Sequence, residues 1–193
     1  MFLCTGNICR SPIAEVLLRT RLAERGVDAH VHSAGLLMDG QSASPLSVEV
    51  MTVRGLDLST HRSRRMTREL LLDADLILGM AREHVREAAV LVPERWPRAF
   101  TLKEVVRRAQ QTGPRQEGES LDAWLARVHE GRSLRDLAGW SDDDDVADPI
   151  GKPHAVFERT AAELDDLTRR LVELMCGVTP ARRAAHEQQA RWA

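Results

Sequence analysis

Two cysteines, an arginine and a serine crowd the opening residues, MFLCTGNICRSP. Cys4 and Arg10 are separated by five residues, and Ser11 and Pro12 follow. A free thiol is only about 3% thiolate at pH 7, and a helix N-terminus or a nearby arginine raises that fraction. A guanidinium offers a planar, two-pronged set of donors matched to two phosphate oxygens. Together these residue types spell attack by sulfur on a phosphorus that an arginine holds. Spacing by itself is weak support. Of the 27 basic residues only Lys103 and Lys152 are lysines, so with three cysteines in the chain a Cys-x5-Arg pair arises easily by chance. The setting of the pair has to carry the argument.

That setting follows from the alternation of apolar runs and periodic stretches. FLC (2–4), AHVHSA (29–34), ADLILGM (74–80) and RAFTL (98–102) read as short strands. PIAEVLLRTRLAERG (12–26) repeats Ile13, Val16 and Leu17 and ends at Gly26, the pattern of an amphipathic helix with a glycine stop. Ser44-Pro45 opens a second helix to about Arg54, Thr67 and Glu69 begin a third, and AREHVREAAVLV is a fourth. A long helix is expected from about His154 to Met175, with Val156, Leu164, Leu167, Leu171 and Leu174 on one face. Strand and helix in turn predict an α/β domain with a parallel sheet flanked by helices on both faces.

On this map CTGNICRSP lies between the first strand and the first helix, at the carboxyl edge of the sheet where ligands bind in open α/β folds. Gly6 permits a tight turn. The amides of Thr5, Gly6, Asn7, Ile8, Cys9 and Arg10 can converge into a nest for an anion, and Pro12 starts the helix with its positive end inward. Cys4 then sits at the floor of a phosphate-sized cup. The expected reaction is in-line displacement giving a phosphocysteine, followed by hydrolysis, with Ser11 donating to the sulfur. Such a displacement needs an acid for the departing oxygen and a base for water. VADPIGKP supplies Asp148, kept out of a helix interior by Pro149, and an Asp facing a phosphate dianion favours its protonated form.

CTGNICRSP, SAG at 33–35, ADLILGM at 74–80 and the Asp148-Pro149 pair resemble the low-molecular-weight protein tyrosine phosphatase family, bacterial type, over residues 1–110 and 146–176. The resemblance implies a four-stranded parallel sheet, Cys4 as nucleophile, Arg10 as phosphate clamp, Asp148 as general acid and base, and neither metal nor cofactor. It implies that Asn7, Ser11, Ser33 and His61 brace the loop. The substrate would be a phosphorylated protein or a small aryl phosphate. Members acting on phosphotyrosine commonly carry aromatic residues beside the Asp-Pro. This chain has Ile150 there, no tyrosine at all, and LLMDG after SAG, so Leu36, Leu37, Met38 or Trp140 are the candidate walls. FTLKE (100–104) and the glycine after the Asp-Pro also resemble the protein arginine phosphatase branch, which favours Thr at the position of Ile8. A branched apolar Ile8 narrows the cup against a guanidinium, which ranks phosphotyrosine first. Arsenate reduction needs two further cysteines close together, and Cys176 stands alone.

Composition bounds the rest. With 193 residues, 43% of them hydrophobic, the chain suits one phosphatase domain over 1–176 and a polar tail over 177–193. Residues 111–147 read as an insertion around LDAWLARVH, where Leu121, Trp124, Leu125 and Val128 share a face. A formal charge of −2 gives no field to recruit nucleic acid or a membrane, and no run of 18 apolar residues exists. A cytoplasmic location is expected. Only three residues precede Cys4, leaving either a stub for the first strand or a start further upstream. SDDDD (141–145) reads as a solvated loop and Cys176 as a packed side chain, while His30 and His32 fall on one face of a strand. Cys9 reads either as a buried side chain or as a partner that captures oxidised Cys4 in a disulfide. The competing class is a phosphate-binding module without turnover, against which the retention of Cys4, Arg10 and Asp148 argues.

Overall fold

A computed structural model describes residues 1–176; the expected tail, 177–193, lies outside the described residues. Four strands, β1 (Phe2–Cys4), β2 (Ser33–Gly35), β3 (Ile77–Gly79) and β4 (Ala99–Thr101), form one sheet in the order β2-β1-β3-β4. Every pairing is parallel, with Cys4 opposite Gly35 and Leu3 between Ala34 and Gly79. The helices are α1 (Arg10–Ala23), α2 (Pro45–Thr52), α3 (Arg68–Asp73), α4 (Arg82–Leu91), α5 (Leu102–Thr112), α6 (Leu121–His129) and α7 (His154–Cys176).

The strands are buried on both faces, and their alternation divides the core in two. Phe2, Cys4, Leu78 and Phe100 face α1, α5, α6 and α7. Leu3, Ala34, Ile77 and Ala99 face α3 and α4, through Leu71, Val85 and Ala88. This is the period-2 geometry of strands covered by helices on each side. From β1 the chain passes to β2 on one side and returns to β3 on the other, so the order reverses around β1 and opens a crevice beyond its carboxyl end. Cys4 is the last residue of that strand.

Two elements differ from the expectation. The second strand covers only Ser33–Gly35, so His30 and His32 precede it; their rings meet edge to face at 4.7 Å instead of lining a strand face. Helix α5 has no counterpart among the expected elements, although Thr101 and Glu104 form a reciprocal capping box at its start. Helix α6 coincides with LDAWLARVH and packs Trp124, Leu125 and Val128 into the main core.

Candidate active site

β1 ends at Cys4, the chain turns through residues 5–9, and α1 starts at Arg10, with Pro12 in its first turn. Asn7 takes φ 54°, a left-handed conformation that Asn tolerates better than most residues. The turn wraps the loop around the sulfur. The Asn7 amide donates to Cys4 Sγ at 3.2 Å, and Ser11 Oγ stands 3.0 Å from the same atom.

The directions of the bracing hydrogen bonds follow from one amide. Asn7 Nδ2 donates to Ser11 Oγ at 2.9 Å and to Ser33 Oγ at 2.7 Å, using both its hydrogens. Asn7 Oδ1 accepts from the Arg64 amide at 3.0 Å. The Ser33 hydroxyl in turn donates a hydrogen bond to Glu15 Oε2 at 2.7 Å. Ser11, already an acceptor, is left with its proton for the Cys4 sulfur. His61 Nε2 reaches the Asn7 carbonyl at 2.7 Å and therefore donates. All four expected bracing residues, Asn7, Ser11, Ser33 and His61, thus converge around one loop. Glu15 and Arg64 join them.

Arg10 is buried, with its side chain 5% exposed. Nη1 donates to the Val146 carbonyl at 3.0 Å, and Nη2 to Asp148 Oδ2 at 2.5 Å and to Thr5 Oγ1 at 3.4 Å. Nε has no hydrogen-bond partner among the described residues. Asp148 is more open, at 39% side-chain exposure, and its Oδ1 accepts from the Ile150 amide at 3.1 Å. The Asp-x-Ile turn and Pro149 hold the carboxylate at the mouth.

His84 was not among the expected residues. It lies in the first turn of α4, directly beyond the carboxyl end of β3, and is fully buried. Its Nε2 is 3.1 Å from Thr5 Oγ1. Burial pushes the imidazole down to about 3, and the charge of Arg10 adds to that. A neutral ring can accept from Thr5, whose hydroxyl then turns its lone pairs toward Arg10. The signal that could have found His84 is its place at the ligand edge of a parallel sheet, five residues after the last residue of β3.

Cys4, Thr5, Gly6, Ile8, Cys9, Arg10, Leu37, Met38, Asp148 and Ile150 enclose a cup of about 110 Å³. Its walls are aliphatic, from Ile8, Leu37, Met38 and Ile150. Trp140 does not contribute; it lines a separate hollow on the other side of the Arg10–Asp148 pair, and Leu36 is not in the wall either. Cys9 is buried, which pushes its thiol up to about 11. The SDDDD run is only in part the solvated loop expected, with Asp142 and Asp143 exposed. Asp144 and Asp145 are buried and bonded to Arg82, because the segment crosses the start of α4. Among the described residues no group of three or more His, Cys, Asp or Glu side chains is placed to hold a metal, and no helix is long and apolar enough to cross a membrane.

Residues 1–115 match the family model of the low molecular weight phosphotyrosine protein phosphatases. The chain belongs to that family. It is 34% identical to the low molecular weight protein tyrosine phosphatase of T. tengcongensis, with a TM-score of 0.68 over 89% of this chain and 95% of the other. It is 30% identical over 174 residues to the protein-arginine-phosphatase of Bacillus subtilis, covering 90% of this chain and 93% of the relative. To the low molecular weight protein-tyrosine-phosphatase Etp of Escherichia coli it is 41% identical over 95 residues, 49% of this chain and 62% of the relative. The four-stranded parallel sheet and the hydrolase class of this low molecular weight phosphatase agree with the expectations from its opening loop.

Proposed function

We propose that the protein is a phosphotyrosine phosphatase in which Cys4 is the nucleophile, Arg10 the phosphate clamp and Asp148 the general acid and base. The observation that carries this reading is the cup itself: a sulfur at its floor, a buried guanidinium on one wall and a carboxylate at its rim. A phosphate dianion entering the cup takes over donors of Arg10 that now serve Asp148, and Nε supplies one more. The Cys4 thiolate attacks phosphorus and the P–O bond to the substrate breaks. The leaving oxygen takes the bond's electron pair and a proton from the Asp148 carboxyl. Asp148, now a carboxylate, accepts a proton from water as that water attacks the phosphocysteine. The S–P bond breaks, phosphate leaves, and Ser11 donates to the departing sulfur.

Phosphotyrosine is ranked first on Ile8. Its branched side chain, with Leu37, Met38 and Ile150, lines the cup with hydrocarbon suited to a phenyl ring and offers a guanidinium no acceptor. A second reading, phosphoarginine, is supported by the arginine-phosphatase relative, which aligns over 90% of this chain. Hydrolysis of phosphotyrosine and phosphoarginine peptides, compared in wild type and Ile8→Thr without added metal, decides between them. Wild type is expected to favour phosphotyrosine and the variant to move toward phosphoarginine. Wild-type preference for phosphoarginine would reverse the ranking and leave the mechanism standing.

A further inference from the structure

The Arg10–Asp148 contact is given up when a phosphate takes the guanidinium, so the acid's loop needs a second anchor. The segment before Asp148 provides one. Asp145 Oδ1 accepts from the backbone amide of Arg82, the first residue of α4, at 2.7 Å, and its Oδ2 accepts from the Ser141 amide at 3.0 Å. Asp144 Oδ2 accepts from Arg82 Nε at 2.8 Å, and Arg107 Nη1 stands 2.7 Å from its Oδ1 as an ion pair without hydrogen-bond alignment. Lys103 and Arg107 of α5 donate to the carbonyls of Asp142 and Asp143, while Arg82 and Arg86 of α4 donate to those of Ala138 and Leu137. Residues 137–145 are therefore strapped across α4 and α5 by basic side chains.

The strap leads straight into the site. The Val146 amide donates to the Met80 carbonyl at 2.8 Å, and the Val146 carbonyl receives Arg10 Nη1 at 3.0 Å. Asp148 follows two residues later. Asp145 is 3% exposed and Val146 1%, whereas the Asp148 side chain is 39% exposed. A charged carboxylate bonded to the first amide of a helix gains from the helix dipole as well as from the hydrogen bond. Fixing it fixes its neighbour Val146, and so the point from which the Asp148 loop projects.

We propose that Asp145 is a positioning residue for the general acid: its bond to the start of α4, reinforced by the Asp144–Arg82 pair, sets where Asp148 meets the leaving oxygen. The proposal rests on Asp148 being that acid. It separates from a merely structural role by leaving-group chemistry. Nitrophenolate departs with little help from a proton, whereas phenolate needs one, so a misplaced acid slows phenyl phosphate far more than p-nitrophenyl phosphate. The quantity to compare is kcat/KM, which reports the steps up to departure of the phenol.

In Asp145→Ala, kcat/KM for phenyl phosphate is expected to fall about tenfold or more, a fraction of the roughly 10²–10⁴ that a positioned acid supplies. p-Nitrophenyl phosphate should fall by less than about threefold, and vanadate inhibition, which reports an intact cup, should stay within about threefold of wild type. Placed in an Asp148→Ala background, Asp145→Ala should add no further loss. Equal losses on both substrates, or none on either, would overturn the proposal. Should Asp145→Ala not fold, Arg82→Ala keeps the backbone amide and removes the Asp144 pairing together with the bond to the Ala138 carbonyl; it should show the same selectivity, smaller, and its absence counts equally against the idea. The two readings fail differently. If Asp148→Ala itself shows no leaving-group selectivity, the acid is misassigned; if Asp148→Ala shows it and Asp145→Ala does not, the anchor is.

Discussion

Arg10 Nη2 and Asp148 Oδ2 meet at 2.5 Å although 138 positions separate them in the chain. The clamp and the acid of the proposed reaction are thus partners of one another before a phosphate arrives. A dianion must compete with Asp148 for Arg10, and it must also approach a carboxylate of like charge. Both effects act in the same direction. Asp148→Ala should slow aryl phosphate hydrolysis by about 10²-fold or more while vanadate inhibits it as well as or better than wild type. Unchanged turnover would remove Asp148 from the mechanism, and weakened vanadate inhibition would remove the competition.

Asn7 joins backbone shape to side-chain bracing in one residue. Replacing it by Ala strands the Ser11, Ser33 and Arg64 groups that it now satisfies, and puts a residue less tolerant of the left-handed region than Asn at φ 54°. Buried polar groups left without partners cost about 1–3 kcal/mol each. Asn7→Ala should lose about 2–4 kcal/mol of unfolding free energy in urea titration, together with most of its phosphatase activity. Asn7→Gly relieves only the backbone and should recover part of the stability and little of the activity. Equal stability of wild type and Asn7→Ala would show that the network is dispensable.

Gly35 lies opposite Cys4 in the sheet because the loop needs the space. A β-carbon built there would come 2.9 Å from both the β-carbon and the amide nitrogen of Asn7. The second of these is backbone, which cannot swing aside. Gly35→Ala should therefore displace the loop and lower kcat/KM by an order of magnitude or more, roughly the cost of a misplacement near 1 Å. A fully active variant would show that the loop has room to shift.

His84 makes stability depend on pH in a stated direction. Its imidazole is held near 3 in the folded protein against an ordinary value of 6.5, chiefly by burial. The unfolded chain binds a proton between those values and the folded one does not. The contribution is thus complete above about pH 6.5 and is lost as pH falls toward 3, at about 1.4 kcal/mol per pH unit for one proton. His32, lowered to about 4 by burial, acts with the same sign. Denaturant midpoints measured from pH 7 to pH 4 should fall in wild type and fall less steeply in His84→Gln. The same slope in both would mean that His84 is not the titrating group.

What the sequence disclosed was set by how local the controlling interactions are. Cys4, Arg10, Ser11 and Asn7 lie within eight residues, and a turn between a strand and a helix fixes their mutual geometry whatever surrounds them. Asp148 was reachable only through its Pro149 neighbour and the chemistry that the loop still lacked. His84, Glu15 and Arg64 escaped because each acts through a tertiary contact that spacing does not record: Thr5 to His84 spans 79 positions. The acidic run misled for the same reason. Of four consecutive aspartates, Asp144 and Asp145 look as solvated as Asp142 and Asp143 until Arg82 and the open end of α4 are set against them. Helix α5 is the exception, a local pattern that was legible: the capping box at Thr101 and Glu104 opens it, and Leu102, Val105, Val106 and Ala109 share its buried face.

The central claim is that the Cys4 sulfur forms the bond to phosphorus, and Cys4→Ser tests it most directly. The variant keeps the shape of the cup, the Arg10 clamp and the Asp148 rim, and exchanges the nucleophile for a hydroxyl of far lower acidity. Turnover of phosphotyrosine and phosphoarginine peptides should disappear, while calorimetry still detects an oxyanion such as tungstate in the cup. Hydrolysis at the wild-type rate would contradict the account and transfer the chemistry to another group.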